Sequence, residues 1–246
     1  MIKAIIIDDE PLARSIIREY LAGYSQIEVV EECGDGFEGF KAIQKHQPHL
    51  VFLDIQMPKI TGLEMLELVE QPLNVIFTTA FDDYALKAFE NNAVDYLLKP
   101  FSLERFDKAI RKFLNTGNTE GTTQNPPTEK MLSEMPPNKN RLVVKKGSNI
   151  KILPIAEVHY LEAYDDYVKI HTPTEVFLKK KTLSHFESTL EEKDFVRIHR
   201  SFLVNISQVT RVEPMEKDTH IVVLKSGVKL PVSKTGYGKL KLVLGL

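Results

Sequence analysis

The 246-residue sequence predicts two domains of different fold class, a doubly wound α/β domain followed by a mostly antiparallel β domain. Short apolar runs alternate with amphipathic helical patterns early in the chain, whereas short β-branched and aromatic runs separated by turn residues fill the later part. The charge divides as well: 13 basic and 22 acidic side chains precede residue 138, and 19 and 12 follow it. Such asymmetry indicates different partners, with nucleic acid or a membrane surface for the basic half.

The first domain is predicted over residues 1–115. Its predicted strands are Ala4–Ile7, Ile27–Val30, Leu50–Leu53, Asn74–Thr78 and Val94–Leu98. Its predicted helices are Leu12–Ala22, Gly36–Lys45, Leu63–Glu70, Tyr84–Asn91 and Leu103–Leu114. Because strands and helices alternate, we expect βαβ crossovers and a parallel sheet with helices on both faces.

A flexible linker is predicted over residues 116–138, where Pro126-Pro127 and Pro136-Pro137 stand among polar residues that cannot build a core. The second domain then covers residues 139–246. Its predicted strands are Leu142–Lys145, Val158–Leu161, Tyr167–His171, Val176–Leu178, Phe195–Ile198, Val209–Val212, His220–Leu224 and Val228–Val232. Its two helical patterns are Leu183–Leu190 and Gly238–Leu244. Short strands at this spacing are typical of an antiparallel β domain.

Several protein classes are disfavoured by the sequence. The amino terminus reaches Asp8 after a few apolar residues, unlike a signal peptide, and no apolar run approaches the ~18 residues of a membrane span. The single cysteine, Cys33, cannot form an internal disulfide and makes no zinc cluster with the dispersed histidines. We therefore expect a cytoplasmic protein.

Acidic residues stand where two predicted strands end: Asp8-Asp9 after the first strand and Asp54 after the third. The carboxyl ends of parallel strands share one edge of the sheet, so neighbouring strands would bring three carboxylates together. Asp8-Asp9 alone would more simply be a solvated loop, but three adjoining carboxylates repel one another unless a cation compensates. Oxygen-only ligands favour Mg²⁺ or Mn²⁺.

Two further strand ends supply groups that a phosphoryl group needs. The fourth strand ends in Thr78-Thr79, which offers hydroxyl donors, and the fifth in Lys99-Pro100, which offers an ammonium. A carboxylate nucleophile, a metal, a hydroxyl and an ammonium together indicate aspartyl phosphorylation.

Residues 1–115 resemble the receiver domain of two-component response regulators, which has a flavodoxin-like (βα)5 fold. The residues that carry the resemblance are Asp8-Asp9-Glu10-Pro11, Val51-Phe52-Leu53-Asp54-Ile55-Gln56-Met57-Pro58, Gly62, Thr79-Ala80, Ala93-Val94-Asp95-Tyr96 and Lys99-Pro100-Phe101. The resemblance implies that Asp54 is the phosphoacceptor and that Lys99-Pro100 is a cis peptide. It also implies metal ligands at Asp8, Asp9, Asp54 and the carbonyl of Gln56, and phosphoryl-binding or switch roles for Thr79, Lys99 and Tyr96. For Tyr96, ordinary packing is the alternative.

The second domain carries clusters of basic side chains, although it has no helix-turn-helix pattern and no zinc-finger spacing. It resembles the LytTR DNA-binding domain over residues 139–246. The resemblance rests on Val158-His159-Tyr160-Leu161-Glu162-Ala163, Asp166-Tyr167-Val168, Phe195-Val196-Arg197-Ile198-His199-Arg200-Ser201-Phe202-Leu203-Val204-Asn205 and Leu230-Pro231-Val232-Ser233-Lys234. It implies a scaffold of short antiparallel sheets that contacts DNA with loops.

Three loops are implied to face DNA, together with basic side chains that would contact the phosphate backbone. The implied DNA-binding residues are Asp166, Tyr167, His199, Arg200, Ser233 and Lys234, with Lys145, Lys146 and Lys179–Lys181 on phosphates. Arg200 is suited to a bidentate contact with guanine, worth about 1–3 kcal/mol of discrimination. Asp165 and Asp166 place two negative charges in a loop that is implied to face DNA. Either one of the two carboxylates accepts a hydrogen bond from a cytosine amine, or the loop lies away from the DNA. His199 could equally pack between strands.

Together these features predict a DNA-binding transcription regulator rather than an enzyme. A sensor histidine kinase would phosphorylate Asp54, and a homodimer would then bind repeated half-sites in promoter duplex DNA. A phosphatase of the haloacid dehalogenase kind is disfavoured, because Gln56 stands where that chemistry places a second acid. A protein-binding or RNA-binding role of the β domain is the other alternative.

Overall fold

The computed structural model describes residues 1–80, 93–116, 141–147, 149–190, 193–215 and 219–245. The chain divides into two compact units, Met1–Met135 and Pro136–Leu246. The predicted helix Tyr84–Asn91 and all of the predicted linker except Thr116 lie outside the described residues. In the part of the chain that is described, no helix is long and apolar enough to cross a membrane.

The first unit alternates strands with helices, as its sequence predicts. The strands are β1 (Ile2–Ile7), β2 (Ile27–Cys33), β3 (Leu50–Asp54), β4 (Val75–Thr79) and β5 (Asp95–Leu98). The described helices are α1 (Pro11–Leu21), α2 (Gly36–His46), α3 (Gly62–Leu66) and α4 (Leu103–Thr116). All strand pairs are parallel and their order is β2-β1-β3-β4-β5, which confirms the flavodoxin-like sheet.

Helices cover both faces of this sheet. Successive side chains of a strand point to opposite faces, and in β1 Ala4 and Ile6 join the core formed with α1 and α4. Ile7 points to the other face and meets α2, where a Cβ on Gly39 would lie 2.7 Å from its Cδ1. Burial on two sides explains why β3 and β4 are continuously apolar until the polar residues at their carboxyl ends, whereas the edge strand β2 carries three glutamates.

Helix α3 is shorter than the predicted Leu63–Glu70. It begins with a capping box, in which Thr61 Oγ1 accepts from the Glu64 amide (3.1 Å) and Glu64 Oε2 accepts from the Thr61 amide (2.8 Å). After Leu66 the backbone tightens, because the Val69 amide donates to the Leu66 carbonyl three residues earlier. The apolar pattern therefore continues beyond the end of the α-helix.

The second unit is mostly antiparallel β structure. Its strands are β6 (Arg141–Lys146), β7 (Asn149–Pro154), β8 (Tyr160–Tyr164), β9 (Tyr167–His171), β10 (Val176–Lys179), β11 (Phe195–His199), β12 (Phe202–Asn205), β13 (Val209–Pro214), β14 (His220–Leu224) and β15 (Lys229–Val232). Its helices are α5 (Leu183–Thr189) and α6 (Lys234–Leu244). The sheets are β10-β9-β8-β12-β11, β13-β14-β15 and the hairpin β6-β7.

The five-stranded sheet lies between two hydrophobic cores. On one face, Leu161 and Leu203 pack with Phe186 of α5 and with residues of the β6-β7 hairpin. On the other face, Ile198 packs with Leu240 of α6 and with the three-stranded sheet. Strands β7 and β12 were not predicted, and α6 begins at Lys234 rather than at Gly238, because Ser233 caps it.

Candidate metal centre and candidate nucleic-acid interface

Three carboxylates meet at the carboxyl edge of the parallel sheet. Strands β1 and β3 are neighbours, with Ile7 opposite Leu53, so Asp8 and Asp54 follow adjacent strand ends. Oxygen atoms of Asp8, Asp9 and Asp54 all lie within 4.8 Å of one another, which confirms the predicted convergence. Asp8 is fully buried and Asp54 nearly so, whereas Asp9 is more exposed. The group is an oxygen-only set of ligands of the kind that Mg²⁺ and Mn²⁺ prefer.

Lys99 reaches this cluster from the end of β5. Its Nζ lies 2.8 Å from Asp8 Oδ2, 2.9 Å from Asp54 Oδ2 and 3.1 Å from Glu10 Oε2. Its amide also donates to the Thr79 carbonyl (2.7 Å), and the Lys99–Pro100 peptide is cis, as the receiver resemblance implies. Lys99 is the one cation paired with these carboxylates in the part of the chain that the structure describes. One ammonium cannot neutralise three carboxylates, so the cluster retains negative charge for a divalent cation to balance.

Burial and charge act in opposite directions on the ionisable groups of the cluster. Burial raises the pKa of the Asp54 carboxyl above its ordinary value, and the hydrogen bond from Lys99 opposes that rise. Burial would lower the pKa of Lys99, but its hydrogen bonds to Asp8 and Asp54 outweigh this and hold the pKa well above its usual range. Lys99 is therefore a permanent cation beside Asp54.

Two threonines close the cluster on the β4 side. Thr78 lies opposite Asp54 in the β3-β4 pairing, and its buried hydroxyl donates to Asp8 Oδ2 at 3.3 Å. Thr79, the residue predicted to bind the phosphoryl group, is fully buried at the strand end and lies opposite Leu98. The contact between Thr78 and Asp8 was missed by sequence reasoning, since it depends on which of two adjacent side chains of β4 lies on the same side of the sheet as the Asp8 carboxylate.

The loop after β3 is held close to the acidic cluster. The Gln56 amide donates to Asp54 Oδ1 (3.0 Å), and the Gly62 amide donates to the Ile55 carbonyl (2.9 Å). A Cβ on Gly62 would lie only 2.2 Å from the Asp54 carbonyl oxygen, so α3 can begin here only with a glycine. This approach fixes the backbone of Asp54.

Tyr96 is buried in β5 and stacks on Phe77 of β4, with ring centroids 5.4 Å apart and planes 16° from parallel. Its strand is tied to α4, because Arg105 forms an ion pair with Asp95 (2.8 Å) and donates to the Tyr96 carbonyl. The buried and stacked ring fits the packing interpretation of Tyr96.

In the second unit, three turns lie side by side at one end of the five-stranded sheet. The Asp165-Asp166 turn joins β8 to β9, and the neighbouring Ala163 amide donates to the Ser201 carbonyl of the β11-β12 turn (2.9 Å). The Ser233 amide, before α6, donates to the Ile198 carbonyl at the end of β11 (2.9 Å). The structure therefore brings together the three loops that the LytTR resemblance implies.

The side chains on these turns differ in their availability. Arg200 and Lys234 are exposed, and neither guanidinium nor ammonium makes a hydrogen bond or ion pair with the described residues. Asp166 is exposed, and Tyr167 is 41% exposed. His199 is partly covered, since its ring lies 5.9 Å from the Phe202 ring and its Nδ1 accepts from the Ser201 amide (3.2 Å).

Lys145 and Lys146 are not brought to this end of the sheet. They lie in the β6-β7 hairpin, where Lys146 Nζ pairs with Glu175 at 2.5 Å. Glu175 closes the turn between β9 and β10, whereas the Asp165-Asp166 turn lies at the opposite end of β9. Lys146, at Glu175, and the Asp165-Asp166 turn are thus separated by the length of the five-residue strand β9, about 17 Å.

Known domain families match both halves of the chain. The response regulator receiver domain model matches residues 4–111, and the LytTR DNA-binding domain model matches residues 148–245. Among solved structures, a LytTR DNA-binding domain from Bacillus cereus covers 44% of this chain at 28% identity and a TM-score of 0.42, with all of that domain aligned. The response regulatory domain of protein mrkE from Klebsiella pneumoniae covers 47%, with 97% of that domain aligned, at 30% identity and a TM-score of 0.42.

Three curated relatives align over nearly their whole length. An uncharacterized response regulatory protein of Vibrio cholerae is 38% identical, over 100% of this chain and 99% of its own. Transcriptional regulatory protein BtsR of Escherichia coli is 35% identical over 100% of both chains. Sensory transduction protein LytT of Bacillus anthracis is 31% identical over 99% of both. The chain therefore belongs to the two-component response regulators in which a receiver domain is joined to a LytTR DNA-binding domain.

Proposed function

We propose that a sensor histidine kinase phosphorylates this protein on Asp54. The observation that carries the proposal is the position of Asp54, a nearly buried carboxylate at a strand end, 2.9 Å from the Lys99 ammonium and within the acidic cluster. An Asp54 oxygen would attack phosphorus as the bond from phosphorus to the donor nitrogen breaks. Lys99 and the Thr79 hydroxyl would then hold the phosphoryl oxygens.

Asp8, Asp9 and Asp54, with the carbonyl of Gln56, would hold Mg²⁺ or Mn²⁺. The fit is supported by three carboxylates within 4.8 Å and by a single neutralising ammonium. When bound, the metal would offset the negative charge that builds up between the carboxylates and the phosphoryl group. Asp8 is held by the Thr78 hydroxyl and by Lys99, which keeps its carboxylate directed into the cluster.

Tyr96 would act as the switch that transmits phosphorylation. Thr79 and Leu98 lie opposite each other in the β4-β5 pair. A shift of Thr79 toward a phosphoryl group would therefore displace β5, the strand that carries Tyr96. The rearranged receiver would promote a homodimer, and two LytTR domains bound together would gain affinity for repeated half-sites. We propose no enzymatic activity beyond assistance to its own phosphorylation and dephosphorylation.

The second domain would bind promoter duplex DNA with the three adjacent turns. Arg200 and Lys234 would contact base edges or phosphates first, since both are exposed. Asp166, Tyr167, His199 and Ser233 would complete the surface, and Lys145 and Lys146 would contact only DNA that extends to the far end of the sheet. The domain bounds 1–115, 116–138 and 139–246 and the cytoplasmic location stay predictions.

Labelling with acetyl phosphate and Mg²⁺ tests the phosphoacceptor. Asp54→Asn should abolish labelling, whereas Asp165→Asn should label at the wild-type rate. Asp165 is a matched control, because it is an exposed aspartate at φ 49°, a conformation that asparagine adopts readily. Label that persists in Asp54→Asn would assign the phosphoryl group to another residue.

A mobility-shift assay tests the DNA-binding role. Affinity for a preferred duplex should fall steeply with salt, because each contacted phosphate releases counterions. Equal affinity for single-stranded RNA of the same sequence, or none for duplex DNA, would favour the RNA-binding or protein-binding alternative.

A further inference from the structure

Arg197 lies directly beneath the turn that carries Arg200, but its guanidinium is directed into the protein. Its Nε donates to the His199 carbonyl (2.9 Å) and its Nη2 donates to the Arg200 carbonyl (2.6 Å). Its Nη1 donates to Glu187 Oε2 of α5 at 3.1 Å, and the side chain is 18% exposed. Three of its five N–H groups are thus used within the protein, so it is poorly placed to contact DNA.

Glu187 links Arg197 to α6, the helix that follows the Ser233-Lys234 turn. Its Oε1 accepts from Lys239 Nζ of α6 at 2.7 Å, while its Oε2 accepts from Arg197. Burial would raise the pKa of Glu187, but Lys239 and Arg197 outweigh it and lower the pKa, so the carboxylate is charged and joins both cations. One side chain therefore connects β11 with α6.

The turn before α6 is fastened to the same strand at a second point. The Ile198 carbonyl accepts from the Ser233 amide (2.9 Å) and from the Ser233 hydroxyl (3.2 Å), and that hydroxyl also accepts from the Gly236 amide (3.0 Å). A Cβ on Gly236 would lie 2.0 Å from the Ile198 carbonyl oxygen, so the first turn of α6 rests on the β11 backbone. The two turns have little freedom to move independently.

We propose that Arg197 is a positioning residue for DNA recognition, which with Glu187 fixes the His199-Arg200 turn relative to the Ser233-Lys234 turn. This rests on the proposed DNA-binding role of those turns. Arg200 and Lys234 are exposed at adjacent turns, and they can contact one duplex together only if the turns keep a set separation. The alignment that Arg197 imposes stabilises the complex with a preferred DNA sequence more than the complex with non-specific DNA. Contacts to base edges require this alignment, whereas contacts to phosphates tolerate the loss of the alignment.

The test compares Arg197→Lys with Arg211→Lys in the full chain. Lysine keeps the charge but lacks the planar fork that serves three acceptors. Arg211 is the matched control, because it is exposed and bonded to Glu213 in β13 at 2.5 Å. The probes are a duplex selected from a random pool by the wild-type chain and a shuffled duplex of equal length and composition.

Arg197→Lys should lose about 10-fold or more of its preference for the selected duplex, within the range that one bidentate base contact provides. Affinity for the shuffled duplex and the slope of affinity against salt should stay unchanged, because no phosphate contact is lost. Arg211→Lys should behave as the wild type. Parallel losses on both duplexes, or an unchanged preference, would overturn the proposal.

Glu187→Gln provides an independent variant should Arg197→Lys fail to fold. It keeps the shape of the side chain but removes the charge that holds Arg197 and Lys239, and the preference should again fall while shuffled-duplex binding is retained. An unchanged preference in folded Glu187→Gln would overturn the role of the linkage. A wild-type chain that binds neither duplex would instead refute the proposed DNA-binding role itself, and one that binds both equally would refute the sequence preference on which this proposal rests.

Discussion

Replacing Gly62 by alanine should damage the phosphorylation site without touching any of its functional side chains. The added Cβ would lie 2.2 Å from the Asp54 carbonyl oxygen, and Cβ atoms essentially never approach closer than 3.0 Å. The backbones of α3 and β3 must therefore separate by about 0.8 Å, the difference between these two distances. The displaced residue is Asp54 itself.

The expected magnitudes follow from this clash. Overpacking of this kind costs about 1–3 kcal/mol, and the better helix propensity of alanine returns at most about 1 kcal/mol. If the full ~1 kcal/mol is returned, the net loss is about 0–2 kcal/mol, which lowers the melting temperature of a domain of this size by up to roughly 15 °C. Because a misplacement near 1 Å can cost about 100-fold in rate, acetyl phosphate should label the variant about 10- to 100-fold more slowly.

Calorimetry of the full chain and the labelling rate measure both effects. Gly23→Ala is the matched control, since its Cβ would lie 3.6 Å from the nearest atom, the Tyr20 carbonyl oxygen, which is an ordinary contact. It should melt at or slightly above the wild-type temperature and label normally. If Gly62→Ala melts and labels as the wild type does, the close approach is not needed to place Asp54.

Three further outcomes are expected. Burial raises the pKa of Asp54, so the charged carboxylate lowers the stability of the folded state at neutral pH. Asp54→Asn should therefore raise the melting temperature of the metal-free protein. This gain should vanish below pH 3.8, the ordinary pKa of the group, where the carboxyl is protonated in both the folded and the unfolded state. Mg²⁺ should raise the melting temperature of the wild type but much less that of Asp9→Asn, and equal shifts would place the metal elsewhere. Burial lowers the pKa of His171 below 6.5, so the second unit should lose stability as the pH falls through that lowered pKa, and thermal unfolding of His171→Gln should show a weaker loss.

The acidic cluster was predictable because few arrangements satisfy its pattern. Asp8 and Asp54 each follow an apolar run, and the carboxyl ends of parallel strands share one edge, so adjacency of β1 and β3 was enough to bring them together. The same argument does not reveal that Thr78 is the threonine that contacts Asp8. That choice depends on the pleat of β4, which a run of five buried residues leaves undetermined.

The second unit was less predictable because its strands are short and its turns are tight. Strand β12 follows β11 after a turn at Arg200-Ser201 that contains no Gly, Pro, Asn or Asp, so the usual turn residues do not mark the break between the two strands. The ion pair of Lys146 with Glu175 depends on where the β6-β7 hairpin packs, which no local pattern records. The role of Gly236 likewise follows from the contact of α6 with β11, far apart in sequence.

The packing of α6 against the five-stranded sheet determines how the protein tolerates a stop codon before this helix. Leu240 of α6 helps to cover Ile198 and Val204 on one face of the five-stranded sheet. A stop codon after Val232 would expose to water the part of this face that α6 covers, although every strand of the sheet would still be encoded. Such a product should aggregate or be degraded rather than persist as a constitutively active fragment, so nonsense alleles that stop translation between β15 and α6 should behave as full losses of function.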